Sequence, residues 1–307
     1  MGAGGGIDWP KGADLDKLVK DAISEEERAK YETEVNSYLE DLLADVNSRD
    51  PETVKSHLAT IQDALSQETE ESIPLLLGGS MKKHTYVDGL SDVDVLAIVN
   101  NSTLENEPPH RVLEYFAERM RERLPKTTIT VGDLAVTLRF SDGYEIQVLP
   151  ALTTKTGIRI PTSDGKEWSS VIRPERFAQK LTSVNQANAS KVVPVIKLYK
   201  VMNSQLPEEV RLPGYHMESI AINAFEGYSG SRSRKDMLRH LAEYASVAVL
   251  RPIEDSTGQS IHVDDKLGGA NSHEREEASA SIKRILARMK SGDSEAQVDR
   301  WKQLMGE

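Results

Sequence analysis

The sequence predicts an α+β fold, with an N-terminal lobe of strands and helices and an all-helical C-terminal lobe. Two observations lead to this prediction. Up to about residue 150, helical apolar spacing alternates with short β-rich runs, and Ser141-Asp142-Gly143 between two such runs is a strong hairpin signal. From Pro174 onward, the candidate segments have the apolar spacing of helices.

Two helices are expected before the sheet. The first residues are rich in glycine, and a long helix is predicted to start at Ser24, because Ser24 and Glu27 have the spacing of a capping box. Asp50-Pro51 predicts a second start, with an N-cap followed by proline at the first helical position. The second helix carries its apolar residues on one face: Val54, Leu58, Ile61 and Leu65.

The strands are predicted from apolar and β-branched runs. Ile73–Leu77 is a short apolar run, and Val93–Val99 has the composition of a buried strand. Pro108-Pro109 opens a helix after it. The hairpin is expected to join Thr128–Phe140 to Tyr144–Leu149, with Pro150 ending the second strand.

The helical lobe is predicted from six segments, 174–182, 191–205, 215–229, 233–249, 273–290 and 293–305. The polar stretch 251–271 between the fourth and fifth is expected to be a solvated loop. The domain division that follows is a mobile N-terminus over 1–22, a core with the sheet and both N-terminal helices over 23–172, and the helical lobe over 173–307.

Composition narrows the class of protein. The chain has 307 residues, and its 38 basic and 49 acidic residues give a net charge of −11. An acidic chain is a poor binder of long nucleic acid, because affinity for the phosphate backbone needs many cations. With no cysteine, no secretory signal pattern and no apolar run long enough to span a membrane, we expect a cytoplasmic protein without membrane contact.

A pair of carboxylates is the first candidate for chemistry. Asp92 and Asp94 are two residues apart at the start of a predicted strand, so their side chains lie on one face. Paired carboxylates are what Mg²⁺ bound to a nucleotide phosphate needs. A solvated turn would give the same pattern. The segment Gly78-Gly79-Ser80 lies upstream and favours a phosphate-binding site instead. Its glycines permit close approach to a phosphate, and Ser80 offers an N–H and a hydroxyl.

The combined pattern resembles a known active-site signature. The polymerase-β-like nucleotidyltransferases carry a similar run of residues, here Gly78-Gly79-Ser80, Thr85, Gly89 and Ser91-Asp92-Val93-Asp94. Eleven residues separate Ser80 from Asp92, which resembles the spacing of the branch that holds 2′-5′ oligoadenylate synthetase, cyclic GMP–AMP synthase and the bacterial CD-NTases. The chain is identified as a member of the bacterial CD-NTases of CBASS anti-phage systems. The resemblance implies a polymerase-β-like lobe with a mixed sheet, followed by a helical lobe.

The resemblance also implies a reaction and its site. A ribose hydroxyl would attack the α-phosphate of an NTP, with ATP as the expected substrate, and a cyclic di- or trinucleotide would result. Asp92 and Asp94 would be the catalytic, metal-holding residues, with Mg²⁺ or alternatively Mn²⁺. Gly79 and Ser80 would cradle the donor phosphates, and the motif Lys197-Leu198-Tyr199-Lys200 would place Lys197 and Lys200 against the triphosphate. Expected partners are an activator protein and a downstream effector.

The resemblance fails at one position. The third carboxylate of the family falls on Gln147, within a segment, 145–151, that otherwise resembles the family's strand. Three interpretations stay open. Glu145 takes over as third ligand, or two aspartates suffice, or the protein is a weak or degenerate catalyst. Two other functions therefore remain beside the cyclase, a nucleotide-binding regulator and a linear oligonucleotide nucleotidyltransferase.

Overall fold

The structure, a computed structural model, describes residues 12–47, 51–66, 73–88, 90, 93–162, 164–254, 264 and 267–307, and for 12–23 the backbone alone. Gly89, Ser91 and Asp92, which belong to the predicted signature, lie outside these residues. Within the described part of the chain, none of the helices has the length and apolarity needed to cross a membrane.

The first half of the chain forms a sheet with helices. Its elements are α1 (Gly12–Asp45), α2 (Pro51–Ser66), β1 (Leu75–Leu77), α3 (Gly79–Lys82), β2 (Val93–Ile98), α4 (Pro109–Arg123), β3 (Thr128–Val131), β4 (Val136–Arg139), β5 (Glu145–Thr153) and β6 (Ile158–Arg159). The strand order is β1-β2-β5-β4-β3, with β6 paired to β5. The β2–β5 pair is parallel and the other pairs are antiparallel, so the mixed sheet that the resemblance implies is confirmed.

One hydrophobic cluster holds the sheet lobe together. It packs α2 and α4 against the sheet through Ile61, Phe116 and Val148, each of which is fully buried. The predicted apolar face of α2 is confirmed at Val54, Ile61 and Leu65, which are buried in this cluster. The exposed polar face of the same helix keeps it at the surface of the lobe.

The second half of the chain is helical, as predicted. Its elements are α5 (Pro174–Ala187), α6 (Val192–Ser204), a 3₁₀ turn (Glu208–Val210), α7 (Gly214–Phe225), α8 (Arg234–Ala248), α9 (His273–Glu295) and α10 (Val298–Met305). They share a second hydrophobic cluster, in which Leu198, Phe225 and Trp301 are fully buried.

The N-terminal helix differs from its prediction in two ways. It begins at Gly12 rather than at Ser24, so Ser24 and Glu27 lie inside it and form no capping box. Its buried residues Val35 and Leu39 belong to the cluster of the C-terminal helices, whereas the sequence placed both N-terminal helices with the sheet. This placement depends on contacts between residues more than a hundred positions apart. Helical periodicity describes only one helix, so it cannot predict such contacts.

The strands depart from their predicted bounds at two places. The stretch predicted as one strand from Thr128 to Phe140 is a hairpin, β3 and β4, closed by Gly132, whose N–H donates to the Ala135 carbonyl at 2.9 Å. Strand β5 runs past Pro150 to Thr153. The proline is tolerated because β4 pairs with β5 only as far as Val148. Beyond Val148, that edge of β5 has no strand pairing that requires a backbone N–H at position 150.

Candidate active site

A cleft of about 750 Å³ lies between the sheet lobe and the helical lobe. Residues from both lobes line it. The polar and glycine part of its wall consists of Gly78, Gly79, Ser80, Lys82, Lys83, Asp94, Arg173, Lys200, Asn203, Ser204, Arg211, Gly214 and Glu218. Apolar and aromatic side chains form the rest, among them Ile160, Phe177 and Tyr215. A concave site with convergent polar groups on an apolar wall is the usual form of a small-ligand site.

The glycine-serine turn is built directly against Asp94. The N–H of Gly78 donates to the Asp94 carbonyl at 2.8 Å, which continues the pairing of β1 with β2. Gly79 has a φ of 47°, and a Cβ at this position would fall on the Asp94 carboxylate, 2.8 Å from its Cβ. Only glycine therefore lets the turn close over Asp94. This contact requires Gly79 at a position where the sequence predicted only a phosphate cradle.

Ser80 follows at the start of α3 and presents two donors. Its N–H donates to the Asp94 carboxylate. Its Oγ is buried and has no hydrogen-bond partner among the described residues. A buried hydroxyl without a partner loses the hydrogen bonds that water would give it, so a ligand oxygen in the cleft would satisfy it.

The charge state of Asp94 is set by opposing neighbours. Burial raises the pKa of the Asp94 carboxyl, the Lys83 ammonium and the Ser80 N–H lower it, and the net pKa is above its usual value. The neighbouring positive charge and hydrogen bond thus do not fully compensate for the burial of the carboxylate. Since carboxylate oxygens are ligands that Mg²⁺ prefers, Asp94 fits a divalent cation. No group of three or more acidic or histidine side chains that could hold a metal ion is found in the described ranges, which leave out Asp92.

The register of the parallel strands fixes position 147. Asp94 on β2 is paired with Gln147 on β5, so the residue that replaces the family's third carboxylate stands beside the predicted metal ligand. Glu145, the alternative ligand, is occupied by Arg139, whose Nε and Nη2 donate to Glu145 Oε2 at 2.9 and 2.6 Å. This ion pair is partly exposed and therefore weak. Releasing Glu145 from Arg139 would cost little free energy.

Lys200 is placed in the cleft wall, and its environment is unusual for a lysine. Its side chain is 7% exposed, and its Nζ donates to the Thr85 carbonyl at 2.9 Å and to Glu218 Oε1 at 3.0 Å. Burial lowers the pKa of Lys200, while the Glu218 carboxylate opposes that effect. The structure thus brings Lys200 to the same cleft as Gly79, Ser80 and Asp94.

Lys197 is not brought to the cleft. Its Nζ donates to Asn47 Oδ1, just past the end of α1, and it is not among the described residues that line the cleft. The two lysines are three positions apart on α6, which separates their directions by about 60° on a helix of 3.6 residues per turn. That difference is enough for Lys200 to face the sheet lobe while Lys197 faces α1, so the structure gives no support for Lys197 as a triphosphate ligand.

Three polar residues of the site were not predicted as ligands. Lys83 and Thr85 follow α3, and both donate to the Glu218 carboxylate on α7. Adjacent lysines after a glycine turn favour a solvated loop, yet the Lys83 side chain is only 12% exposed. The available signal was the motif Gly214-Tyr215-His216-Met217-Glu218 at the start of a helix, since a glutamate within an apolar helix face needs a buried cation.

The chain matches one family model. Residues 33–185, about half of the chain, match the Second Messenger Oligonucleotide or Dinucleotide Synthetase domain. Among curated proteins, none matches the sequence significantly.

Solved structures share the fold at low sequence identity. CdnG of Bradyrhizobium diazoefficiens, in complex with GTP, has a TM-score of 0.67 and 13% identity over 88% of this chain and 94% of its own. CdnC of E. coli MS115-1 with ATP has a TM-score of 0.61 and 16% identity over 86% and 92%. The same CdnC is also known in a complex with HORMA-deltaN. The cyclic AMP-GMP synthase DncV of Vibrio cholerae has a TM-score of 0.62 and 11% identity over 95% and 91%.

The polymerase-β-like α+β architecture expected from the sequence is confirmed by these matches. The range of the domain match runs from α1 to α5 and includes the whole sheet and the glycine-serine turn. This chain belongs to the second-messenger oligonucleotide or dinucleotide synthetases, a family of nucleotidyltransferases.

Proposed function

We propose that this protein is a Mg²⁺-dependent nucleotidyltransferase that joins NTPs into a cyclic di- or trinucleotide second messenger for CBASS anti-phage signalling. The observation that carries the proposal is the closed turn of Gly79 and Ser80 over Asp94, opposite the buried Lys200. It combines a phosphate cradle, a carboxylate and a cation in one cleft. The solved CdnG with GTP and CdnC with ATP support NTPs as substrates.

The residues of the turn would bind the donor phosphates. Ser80 Oγ, buried and without a partner in the described part of the chain, would donate to a phosphate oxygen. The absence of a side chain at Gly79 lets a phosphate approach the backbone. Lys200 would neutralise part of the triphosphate charge from the helical side of the cleft.

Asp94, together with Asp92, would hold the metal. A bound Mg²⁺ would lower the pKa of the attacking ribose hydroxyl and stabilise the charge on the triphosphate. The Ser80 N–H holds the Asp94 carboxylate in place, and the β2–β5 pairing holds the strand that carries it. Asp94 would therefore keep a fixed position relative to the donor nucleotide. The apolar part of the cleft wall would exclude water from the reacting phosphate.

The proposal extends to partners and place. CdnC of E. coli MS115-1 forms a complex with HORMA-deltaN, which favours an activator protein for this chain as well. A downstream effector that binds the cyclic product and a cytoplasmic location complete the proposal. Mn²⁺ is the alternative ion.

One experiment separates the cyclase from the two other functions. The protein is incubated with the four NTPs and Mg²⁺, treated with phosphatase, and the products are separated. A cyclase gives phosphatase-resistant material, because a ring has no terminal phosphate. A linear polymerase gives products that lose their terminal phosphates, and a nucleotide-binding regulator gives no product, as Gln147 would lead one to expect for a degenerate catalyst.

A further inference from the structure

A buried carboxylate joins two lysines of the cleft wall, Lys83 and Lys200. Glu218 on α7 is 1% exposed, and both of its oxygens are used. Oε2 accepts from Lys83 Nζ, and Oε1 accepts from Thr85 Oγ1 and from Lys200 Nζ at 3.0 Å. Burial alone would raise the pKa of Glu218, but Lys83 and Lys200 outweigh burial and hold it below its usual value.

The contacts of Glu218 cross the cleft between the lobes. Lys83 and Thr85 belong to the segment that follows the glycine-serine turn, and Lys200 and Glu218 lie on α6 and α7. Lys83, Lys200, Glu218 and Asp94 all line the cleft. The position of Glu218 therefore determines where a lysine from each lobe stands relative to Asp94.

Lys200 and Lys83 differ in how many hydrogen-bond acceptors their ammonium groups have. An ammonium has three donors. Lys200 has three acceptors within reach, the Thr85 carbonyl at 2.9 Å, Thr85 Oγ1 at 3.3 Å and Glu218 Oε1 at 3.0 Å. Lys83 has one acceptor among the described residues, Glu218 Oε2, and its Nζ lies 5.1 Å from the Phe177 ring centroid. Lys83, which lines the cleft, thus keeps donors without an acceptor among the described residues.

We propose that Glu218 is a positioning residue for the donor triphosphate, and this rests on the function proposed above. By pairing with Lys83 and Lys200, it sets the distance between them across the cleft and competes with the triphosphate for their charge. Glu218 acts through the lysines and does not touch the nucleotide. The cost of this competition is weaker binding, and its benefit is a fixed geometry for the reacting phosphate.

Glu218→Gln separates positioning from a merely structural role. The amide keeps the size of the side chain and removes its charge, so the lysines are released to the triphosphate while their spacing is no longer fixed. We expect the Kd of a non-hydrolysable ATP analogue, α,β-methylene ATP with Mg²⁺, to fall about tenfold. We expect kcat for the phosphatase-resistant product to fall by about tenfold or more. Calorimetric titration and steady-state kinetics measure the two quantities.

Glu226→Gln is the matched control. Glu226 lies at the end of the same helix and pairs with one lysine, Lys180, but its side chain is 58% exposed and it does not line the cleft. Its Kd and kcat should equal those of the wild type. A folded Glu218→Gln variant with an unchanged or higher Kd overturns the proposal, because a structural role alone does not tighten nucleotide binding.

Glu218→Asp keeps the test decisive if the amide variant does not fold. The shorter carboxylate retains the buried charge but cannot hold both lysines at their present spacing. We expect kcat to fall at an unchanged Kd, and wild-type values of both would contradict the proposal. Failure of the proposed function is distinct, since it shows in the wild type as no binding of the ATP analogue or no product.

Discussion

Gly79→Ala tests the closed turn over Asp94. Two effects add at this position. An alanine with a φ of 47° is in the left-handed region, which costs an L-residue about 1–2 kcal/mol. Its Cβ would also fall on the Asp94 carboxylate, so the carboxylate or the turn has to move by more than 1 Å, roughly the displacement that lowers an enzymatic rate a hundredfold.

Two other glycines separate these effects. Gly143 in the β4–β5 turn has a φ of 90° and nothing within 4 Å of an added Cβ, so Gly143→Ala carries the backbone strain alone. Gly78 has a φ of −116° and space for a Cβ, 3.4 Å from Leu96 Cγ, so Gly78→Ala carries neither effect in full.

The assay measures the melting temperature and the rate of product formation for all three variants. We expect Gly143→Ala to lose about 1–2 kcal/mol of stability and to keep its activity. Gly79→Ala should lose at least as much stability and about a hundredfold in rate. Gly78→Ala should keep a melting temperature near that of the wild type. Full activity of a folded Gly79→Ala variant would refute the packing of the turn on Asp94.

Three further predictions follow from the cleft. Gln147→Asp, which places a carboxylate beside Asp94, should raise product formation most where Mg²⁺ is limiting, and a Mg²⁺ titration in which it only lowers the rate would contradict this. Lys200→Ala should raise KM for the NTP, because a cation of the cleft is lost, and an unchanged KM would place Lys200 away from the donor phosphates. The same variant should lose about 3 kcal/mol of stability, because Glu218 stays buried with one lysine. The folded pKa of Glu218 lies below the usual 4.5, so the ionised carboxylate stabilises the fold fully above pH 4.5 and this stabilisation is lost on further acidification. The difference in melting temperature between the wild type and Glu218→Gln should therefore narrow below pH 4.5. A difference that stays constant would contradict the ion pairs of Glu218.

The sequence predicted the local features of the sheet lobe well. Pro109 begins α4, and β2 begins at Val93, because proline and buried β-branched runs act on their immediate neighbours. The glycine-serine turn and the carboxylate pair were joined by the resemblance to the family signature, but the contact of Gly79 with Asp94 was not predicted. The resemblance placed the third-carboxylate position at Gln147, and the register of the parallel β2–β5 pair then sets that residue beside Asp94.

The sequence could not reveal contacts that depend on tertiary packing. The polar stretch near residue 264 was expected to be solvated, but Asp264 is fully buried and pairs with Arg275 Nη1 at 2.6 Å. Adjacent lysines such as Lys82 and Lys83 are typical of a solvated loop, yet Lys83 donates to Glu218, which is 135 positions away. An ionised side chain that is exposed and one that is buried with a partner give the same local pattern, so only the fold separates them.

The central claim, that Asp92 and Asp94 carry metal-dependent nucleotidyl transfer in this cleft, is tested most directly by one variant. Asp92→Ala with Asp94→Ala is assayed with the four NTPs and Mg²⁺, and its melting curve is recorded beside that of the wild type. We predict phosphatase-resistant product from the wild type, none from the double variant, and a melting temperature that does not fall, because burial of the Asp94 carboxylate raises its pKa and makes its charge unfavourable in the fold. Product from the double variant at the wild-type rate would contradict the account.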